Sequence, residues 1–124
     1  MQSEKAFTLV ELLVVVVIIG ILAAIAIPKF SNSKEKAYVA QMKADLRNLV
    51  TAEEAYFADK TAYTTVLPVI AYTVSSGVTA PNITLNGRDF SAWVGHAQTS
   101  RTCAVYLGTV AQAPATKEGE PKCS

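Results

Sequence analysis

The N-terminal part of the chain is an almost unbroken run of apolar residues. Residues 7–27 are 21 in number, and Thr8, Glu11 and Gly20 are the exceptions to an aliphatic or aromatic sequence. As an α-helix this run would extend roughly 30 Å, about the thickness of the hydrocarbon core of a bilayer. A soluble core helix would show polar residues on one face at helical spacing, and this run does not. The pattern therefore predicts a membrane-spanning helix.

A second helical pattern follows Pro28, which is expected to bend or loosen the helix because it lacks a backbone N–H. Over residues 33–59 apolar positions recur mostly at spacings of three and four, which predicts an amphipathic helix with one stripe toward a sheet. The stripe consists of Val39, Met42, Leu46, Leu49, Val50, Tyr56 and Phe57. Asn32 and Glu35 have the spacing of a capping box, so the helix either restarts at Ser33 or continues through it.

Two adjacent acids, Glu53 and Glu54, interrupt that stripe near its end. Neighbouring residues on a helix do not face each other, so the pair is a poor candidate for a shared catalytic or metal-binding site. We expect both carboxylates to be exposed to solvent.

The second half of the chain changes to short runs rich in β-branched and aromatic residues, which predict strands. After a polar connection at 60–65, these runs cover residues 69–74, 83–85, 89–94 and 103–108. Asn86-Gly87 lies between two of them and is a favoured pair for a two-residue hairpin of type I′.

Alternation within the third of these runs indicates how the sheet packs. Phe90, Ala92 and Val94 alternate with Ser91 and Trp93, so the first set is expected to cover the helical stripe and Trp93 to lie on the other face. The sequence therefore predicts an α+β fold in which a small antiparallel sheet packs on a long helix.

Composition and charge exclude several classes of function. The chain has 124 residues, enough for one domain, and its net charge of +1 comes from interspersed positive and negative residues. No basic block indicates dedicated nucleic-acid binding. The sequence has no GxSxG, HExxH, Walker A or EF-hand pattern, and the single histidine, His96, is expected to be solvated at a strand end. We therefore predict no enzymatic activity, no cofactor and no metal site.

The presence of an acid, Glu11, within the apolar run requires an explanation. A lone acid in hydrocarbon costs about 2.5 to 3.5 kcal/mol on insertion scales unless it is neutralised, paired or close to the interface. One interpretation is a secretory signal peptide with the cleavage pattern Ala24-Ile25-Ala26, and another is a plain signal anchor with Glu11 near the cytoplasmic interface. Neither accounts for the whole of residues 5–30.

The string AFTLVELL, followed by Gly20 and Pro28, resembles the class III signal peptide of type IV pilins and type II secretion pseudopilins. The resemblance implies that a prepilin peptidase cleaves between Ala6 and Phe7 and that the new amine of Phe7 is N-methylated. The family nearly always has glycine where this chain has Ala6. Glu11 matches the glutamate that is thought to pair with the methylated amine of a neighbouring subunit. Gly20 and Pro28 match the family's helix-weakening glycine and kink proline.

The same resemblance implies a pilin fold and an organisation of the whole chain. Residues 1–6 would be the leader peptide, and 7–28 the transmembrane and filament-core helix. Residues 29–59 would be the amphipathic helix of the globular domain. The remainder, 60–124, would hold a connecting loop, the antiparallel sheet and a disulfide-bounded C-terminal loop.

Cys103 and Cys123 are the two cysteines of the chain and are expected to form a disulfide bond. A chain whose N-terminus stays in the cytoplasm would hold them in an oxidising compartment, where disulfides persist. A zinc site is disfavoured because two thiols and one histidine occur without a CxxC spacing. By resemblance to pilins, residues 104–122 would form a surface loop that faces a receptor or neighbouring subunits.

The function that the resemblance implies is that of a structural subunit of a type IV pilus, used for adhesion, twitching motility or DNA uptake. Its partners would be further copies of itself in a helical filament, the prepilin peptidase and methyltransferase, and the inner-membrane assembly machinery. It would lie in the inner membrane as a precursor and in the extracellular filament afterwards. The alternatives are a periplasmic type II secretion pseudopilin, a minor pilin, or a monomeric membrane-anchored binding module. Aromatic residues along the helix are expected to serve packing rather than electron conduction.

Overall fold

A computed structural model describes residues 4–124, so part of the predicted leader lies outside the described residues. The elements in this range are α1 (Leu9–Lys60), a 3-10 helix (Leu67–Ile70), β1 (Asn82–Asn86), β2 (Asp89–His96), β3 (Thr99–Leu107) and β4 (Lys122–Cys123). The chain divides into two compact units, Met1–Lys34 and Glu35–Ser124. Together these elements give the α+β fold that the sequence predicts.

Helix α1 is continuous where the sequence left a break open. Pro28, Asn32 and Ser33 all lie inside it. The Ser33 hydroxyl donates to the carbonyl oxygen of Lys29 at 3.0 Å, a bond that serine commonly makes within a helix. The continuous helix is therefore the correct one of the two alternatives. The bend expected at Pro28 stays a prediction.

The first unit exposes its apolar side chains. The large aliphatic side chains between Leu9 and Ile27 all lie on the surface of the single chain. Among residues 4–124, α1 is the one helix long and apolar enough to cross a membrane, and the mean hydropathy of its most apolar stretch is 3.1. Length and composition thus agree with the predicted span.

The second unit contains a four-stranded antiparallel sheet in the order β1-β2-β3-β4. The predicted hairpin joins β1 to β2, but Asn86 pairs with Asp89, so the loop residues are Gly87 and Arg88. Gly87 at the first loop position has a φ of 61°. Arg88 at the second loop position does not have a positive φ, so the turn is of type II′ and not of the predicted type I′.

The part of the predicted helical stripe from Val39 to Val50 meets the predicted sheet face in one hydrophobic core, to which Tyr56 and Phe57 of the stripe do not belong. Its most deeply buried members are Met42, Leu46, Leu49, Phe90, Ala92, Val94, Cys103 and Val105. Trp93 lies on the opposite face of β2 and is 40% exposed. The alternation expected along β2 is confirmed, because successive side chains of a strand point to opposite faces.

Residues 69–74 do not form the predicted strand. Pro68 lies in the first turn of the 3-10 helix, where its fixed φ suits a helical start and its missing N–H is not needed. Ala71 then adopts a φ of 52°, and its N–H donates to the carbonyl oxygen of Pro68 at 3.3 Å. This left-handed residue ends the helix and lets Tyr72 enter the core. Local turn chemistry therefore overrides the strand preference of the β-branched residues.

Candidate functional site

The predicted cleavage junction lies just before helix α1. Ala6 and Phe7 precede the first helical residue, Leu9, and the Phe7 side chain is 88% exposed. Exposed segments outside regular structure are the preferred sites of proteolytic attack. The peptide bond between the two residues is therefore accessible, whereas cleavage and methylation there stay predictions.

Thr8 and Glu11 form a reciprocal capping box at the start of α1. The Glu11 carboxylate accepts hydrogen bonds from the Thr8 backbone N–H and from the Thr8 hydroxyl, both at 2.8 Å. In return, the Thr8 hydroxyl oxygen accepts the Glu11 backbone N–H at 3.2 Å. Two of these three hydrogen bonds hold the Glu11 carboxylate at Thr8, the residue that follows Phe7.

This capping box gives the carboxylate of the apolar run a partner within its own chain. Among residues 4–124 Glu11 takes part in no ion pair, and its hydrogen bonds come from Thr8. The carboxylate therefore has no cationic partner in the described part of the subunit. Sequence reasoning missed Thr8, although Thr8-x-x-Glu11 matches the S/T-x-x-E signature of a capping box.

Gly20 lies within α1 at a position where a side chain would also fit in the single chain. A Cβ at Gly20 would meet no atom within 4 Å apart from the local helix backbone. Glycine in a helix interior costs about 1 kcal/mol relative to alanine, and proline costs about 3 kcal/mol. Gly20 and Pro28 both carry such a cost inside α1. Their predicted roles in weakening and bending the helix stay predictions.

Cys103 and Cys123 form the predicted disulfide bond. Cys103 is fully buried in the core, and Cys123 lies on β4, which pairs with β3 through these two residues and through Ala104 and Lys122. Sequence reasoning missed β4 because a two-residue strand is too short to show periodicity. The sheet and the disulfide together hold the end of the chain on the core.

The loop enclosed by the disulfide packs on the sheet. Ala115 from this loop is buried with Ala104 and Tyr106, whose side chains lie on the face of β3 opposite the core. The Glu118 carboxylate accepts the Gly108 backbone N–H at 2.7 Å. The loop is thus anchored by both apolar and polar contacts. The loop is shorter than the predicted 104–122, because residues 104–107 belong to β3 and Lys122 to β4. The role of residues 108–121 as a receptor-facing or subunit-facing surface stays a prediction.

The expectation that both adjacent acids are exposed is wrong for Glu53. Its side chain is fully buried, whereas Glu54 is exposed. Glu53 Oε2 accepts the Thr64 backbone N–H at 3.0 Å, and Glu54 Oε1 accepts the Tyr63 hydroxyl at 2.7 Å. The two acids thus hold successive residues of the segment that follows α1. Helical periodicity could not indicate this, because the segment that buries Glu53 has no periodic pattern.

His96 lies at the end of β2 as expected, but it is buried rather than solvated. Its ring stacks on Tyr38 with 4.3 Å between the ring centroids, and its Nδ1 accepts the Gln98 backbone N–H at 3.0 Å. A Cβ at Gly77 would lie 2.8 Å from Nε2 of the imidazole. The histidine is therefore a packed part of the fold that helps to join β2 to α1.

Comparison with known proteins identifies the N-terminal segment. Residues 1–27 match the family described as the prokaryotic N-terminal methylation motif. The matched range contains the predicted cleavage junction, the Thr8–Glu11 capping box and Gly20. The resemblance stated from the sequence is thereby confirmed.

Named relatives extend the match beyond this motif. The chain is 45% identical over 60 residues to the type IV major pilin protein PilA of Myxococcus xanthus, covering 48% of this chain and 27% of that protein. It is 35% identical over 90 residues to the type II secretion system core protein G of Klebsiella pneumoniae, covering 73% and 61%. It is 41% identical over 64 residues to the type IV wide pilus major component PilA4 of Thermus thermophilus, covering 52% and 49%.

The chain thus spans between 27% and 61% of the length of these curated relatives. The exposed apolar helix, the small antiparallel sheet and the C-terminal disulfide agree with that kinship. The chain therefore carries the prokaryotic N-terminal methylation motif and is similar to type IV pilins and type II secretion pseudopilins.

Proposed function

We propose that this chain is a structural subunit that polymerises through its apolar N-terminal helix into a type IV pilus. The observation that carries the proposal is the first turn of α1. There, an exposed junction at Phe7 is followed by a carboxylate, Glu11, whose hydrogen bonds within residues 4–124 come from Thr8. A neighbouring chain with a free amine at Phe7 would provide the cationic partner for Glu11.

The apolar surface of α1 requires two successive environments. Its aliphatic side chains are exposed in the single chain. Burying each such side chain is worth about 1.5 to 3 kcal/mol, so the helix is stable in a bilayer or against other apolar helices and not in water. The inner membrane provides the first environment for the precursor, and the core of an extracellular filament provides the second.

Processing converts the precursor into a subunit that can pair. Cleavage between Ala6 and Phe7 removes the leader 1–6 and creates an amine four residues before Glu11, and methylation keeps that amine basic. In an apolar surrounding a charged pair attracts strongly and a lone charge is penalised, so pairing with Glu11 selects the register between subunits. Gly20 and Pro28 weaken the helix where it must adapt to its neighbours.

The partners of the chain are further copies of itself, the prepilin peptidase that cleaves and methylates it, and the inner-membrane assembly machinery. In this proposal the chain is a substrate of modifying enzymes, and we assign it no catalytic activity of its own.

Adhesion, twitching motility or DNA uptake would be the functions of the assembled filament. The loop between β3 and β4, residues 108–121, is the part that we expect to contact receptors or neighbouring subunits.

The second candidate is a pseudopilin of a type II secretion system. The observation that favours it is the extent of the match to the Klebsiella core protein G, which covers 73% of this chain against 48% for the Myxococcus pilin. A pseudopilin would act in the periplasm and would not be sheared from the cell surface. Location of the assembled polymer therefore separates the two candidates.

The test is mass spectrometry of filaments sheared from cells that express the full chain, with Glu11→Gln and Glu54→Gln as matched variants. For the wild-type chain we expect abundant peptides that begin at N-methylated Phe7. The yield of these peptides should be strongly reduced in Glu11→Gln and nearly unchanged in Glu54→Gln. A membrane-bound chain that still begins at Met1, with no polymer in any fraction, would overturn the proposal. Processed chain in periplasmic polymers alone would favour the pseudopilin.

A further inference from the structure

Glu53 is a carboxylic acid without contact to solvent and with one oxygen that lacks a partner. The accessible fraction of the residue is 0%. Oε2 accepts the Thr64 backbone N–H at 3.0 Å, while Oε1 has no hydrogen-bond partner within residues 4–124. Buried polar atoms are hydrogen-bonded in the great majority of cases, so an orphaned carboxylate oxygen requires an explanation.

Three acids, Glu53, Glu54 and Glu118, lie within electrostatic reach of Tyr63. Glu54 on the same helix binds the Tyr63 hydroxyl at 2.7 Å, and Glu118 from the loop between β3 and β4 acts electrostatically on the same tyrosine. In the part of the chain that the structure describes, Glu53 forms no ion pair with a lysine, arginine or histidine. A negative charge on Glu53 would therefore be desolvated without a counter-charge.

Burial raises the pKa of Glu53, and the hydrogen bond from the Thr64 N–H opposes that rise. Burial also raises the pKa of Tyr63, with smaller contributions from Glu54, Glu118 and Glu53, so the tyrosine stays neutral. A neutral carboxyl group is compatible with this site. An ionised carboxylate without a counter-charge is strongly disfavoured there, so ionisation requires that water reach the group.

The segment that excludes water from Glu53 is the one that follows helix α1. We define residues 61–66 as the covering segment. Thr61 leaves the helix with a φ of 57°, Tyr63 packs its ring 4.7 Å from that of Phe57, and Thr64 donates its N–H to the buried carboxylate. Such short segments outside regular structure open at a lower free energy than the whole domain.

We propose that Glu53 is a proton-binding site that controls whether the covering segment is closed or open. With the carboxyl group protonated, the segment lies closed over it. When the proton passes to solvent, the carboxylate must be hydrated, and the segment opens to admit water. One proton is released for each opening, and no other covalent bond changes.

Opening of the covering segment would change a surface that neighbouring molecules can contact. Val66 ends the covering segment and is exposed, and Val69 lies three residues further along, beside a groove lined by Ala55 and Tyr56 of α1. Here the inference rests on the proposed function: in a filament this surface is available to adjacent copies, so their packing would depend on pH. The proton site itself does not require a filament.

The first experiment titrates the carboxyl groups of the full chain in detergent micelles by carbon-13 NMR. Glu53 is expected to titrate above the ordinary glutamate value of 4.5. The assignment follows from the resonance that is missing in Glu53→Gln, or from its connection to the Glu53 backbone if that variant does not fold. A Glu53 midpoint at or below the ordinary value would overturn the inference.

The second experiment measures exchange of the Thr64 amide hydrogen as pH rises, corrected for the intrinsic rate. Because each opening releases one proton, protection is expected to fall about tenfold per pH unit between the ordinary glutamate value of 4.5 and the Glu53 midpoint, and to be lost above that midpoint. Glu54→Gln should keep this dependence, Glu53→Gln should abolish it, and the amide of Val105 in the core should not follow it. The same slope in Glu53→Gln would overturn the inference. Both experiments use the unassembled chain, so failure of filament assembly cannot be mistaken for failure of the proton site.

Discussion

The Asp45 carboxylate on helix α1 accepts two hydrogen bonds from Ser75. The backbone N–H of Ser75 donates to Oδ2 at 2.9 Å, and its hydroxyl donates to Oδ1 at 2.8 Å. Tyr72 adds a third link, because its hydroxyl donates to the Asp45 carbonyl oxygen at 3.0 Å. The long connection between α1 and the sheet is therefore fixed to the helix by a buried acid whose hydrogen-bonding capacity is used on both oxygens.

Replacing Asp45 is expected to loosen this connection. Hydrogen bonds to charged groups contribute about 1.5 to 3 kcal/mol each and are not additive, so Asp45→Ala should lower the free energy of unfolding by about 2 to 4 kcal/mol. Asp45→Asn keeps one acceptor and should lose about half as much. Denaturant unfolding followed by circular dichroism measures the change. Asp59→Ala, which removes an exposed acid, serves as the control and should stay within about 0.5 kcal/mol of wild type. Equal effects of the two alanine variants would contradict the assignment.

The disulfide is expected to contribute mainly by restricting the unfolded chain. Cys103 and Cys123 are 20 residues apart, and closing a loop of about that length is worth roughly 3 kcal/mol. The double variant Cys103→Ala and Cys123→Ala should lose about 2 to 5 kcal/mol, since Cys103 is also buried in the core. Unfolding of oxidised wild type, reduced wild type and the variant would separate the loop effect from the packing effect. A reduced protein as stable as the oxidised one would show that the bond carries no such role.

Gly108 is expected to tolerate no side chain. Its φ is 107°, and a Cβ there would collide with the Asp89 carboxylate, which binds the Thr109 N–H and hydroxyl at 3.2 and 2.8 Å. Gly108→Ala should therefore destabilise more than Gly87→Ala, where φ is 61° but no atom lies within 4 Å of the added Cβ. Backbone strain alone costs about 1 kcal/mol at Gly87, and the collision should raise the loss at Gly108 to about 2 to 4 kcal/mol. Thermal unfolding of the two variants provides the comparison, and an equal loss would show that the carboxylate moves aside.

Tyr72 is expected to make the fold sensitive to alkaline pH. Burial, with a smaller contribution from Asp45, raises the pKa of Tyr72 to about 12 from an unfolded value of 10.0. The folded state therefore holds its phenolic proton more tightly, and this stabilisation, on the order of 2 kcal/mol, is present below pH 10 and lost as pH rises to 12. Absorbance of ionised tyrosine and circular dichroism over pH 9 to 12 would follow it. Tyr72→Phe should be less stable near neutral pH because a hydrogen bond is missing, and its stability should fall less steeply between pH 10 and 12. An unchanged slope in that variant would assign the loss to other groups.

The Thr8 hydroxyl is expected to hold the first turn of α1 closed. Thr8→Val has nearly the same shape but removes the hydroxyl bonds to Glu11, whereas Thr8→Ser retains them. Losing a helix cap costs about 1 kcal/mol, so amides of the first turn should exchange about fivefold faster in the valine variant and at the wild-type rate in the serine variant. Hydrogen exchange of the full chain in micelles measures this. Equal exchange in all three proteins would mean that Glu11 holds the turn without Thr8.

Periodicity predicted the parts of this fold that bury one continuous face. The stripe through Met42, Leu46 and Leu49 and the alternation of Phe90 with Trp93 both follow from packing a helix on a sheet. The capping box at Thr8 was also available from the sequence, since its spacing is a recognised signature. Glu11 drew attention to the correct turn of the helix, but the sequence analysis did not identify Thr8, the residue that binds its carboxylate.

The features that sequence reasoning missed depend on contacts between distant segments without a pattern of their own. Glu53 is buried because Thr64 covers it, and His96 is buried because Tyr38 and Gly77 close on its ring. The strand expected at 69–74 failed because Pro68 started a 3-10 helix, a local preference that outweighed β-branched composition. In each case one tertiary or turn contact reversed a sound local preference.

Trp93 is an intrinsic fluorescence probe whose position makes it sensitive to contacts on one face of the sheet. It is the single tryptophan of the chain, and it lies on the sheet face directed away from the core, 40% exposed. Its emission should shift little when the domain unfolds, because the indole is already partly hydrated before unfolding. Contact of another molecule with this face would instead remove water from the indole and shift the emission to shorter wavelength. Tryptophan fluorescence of this protein is therefore a poor measure of folding and a direct measure of what approaches the outer side of the sheet.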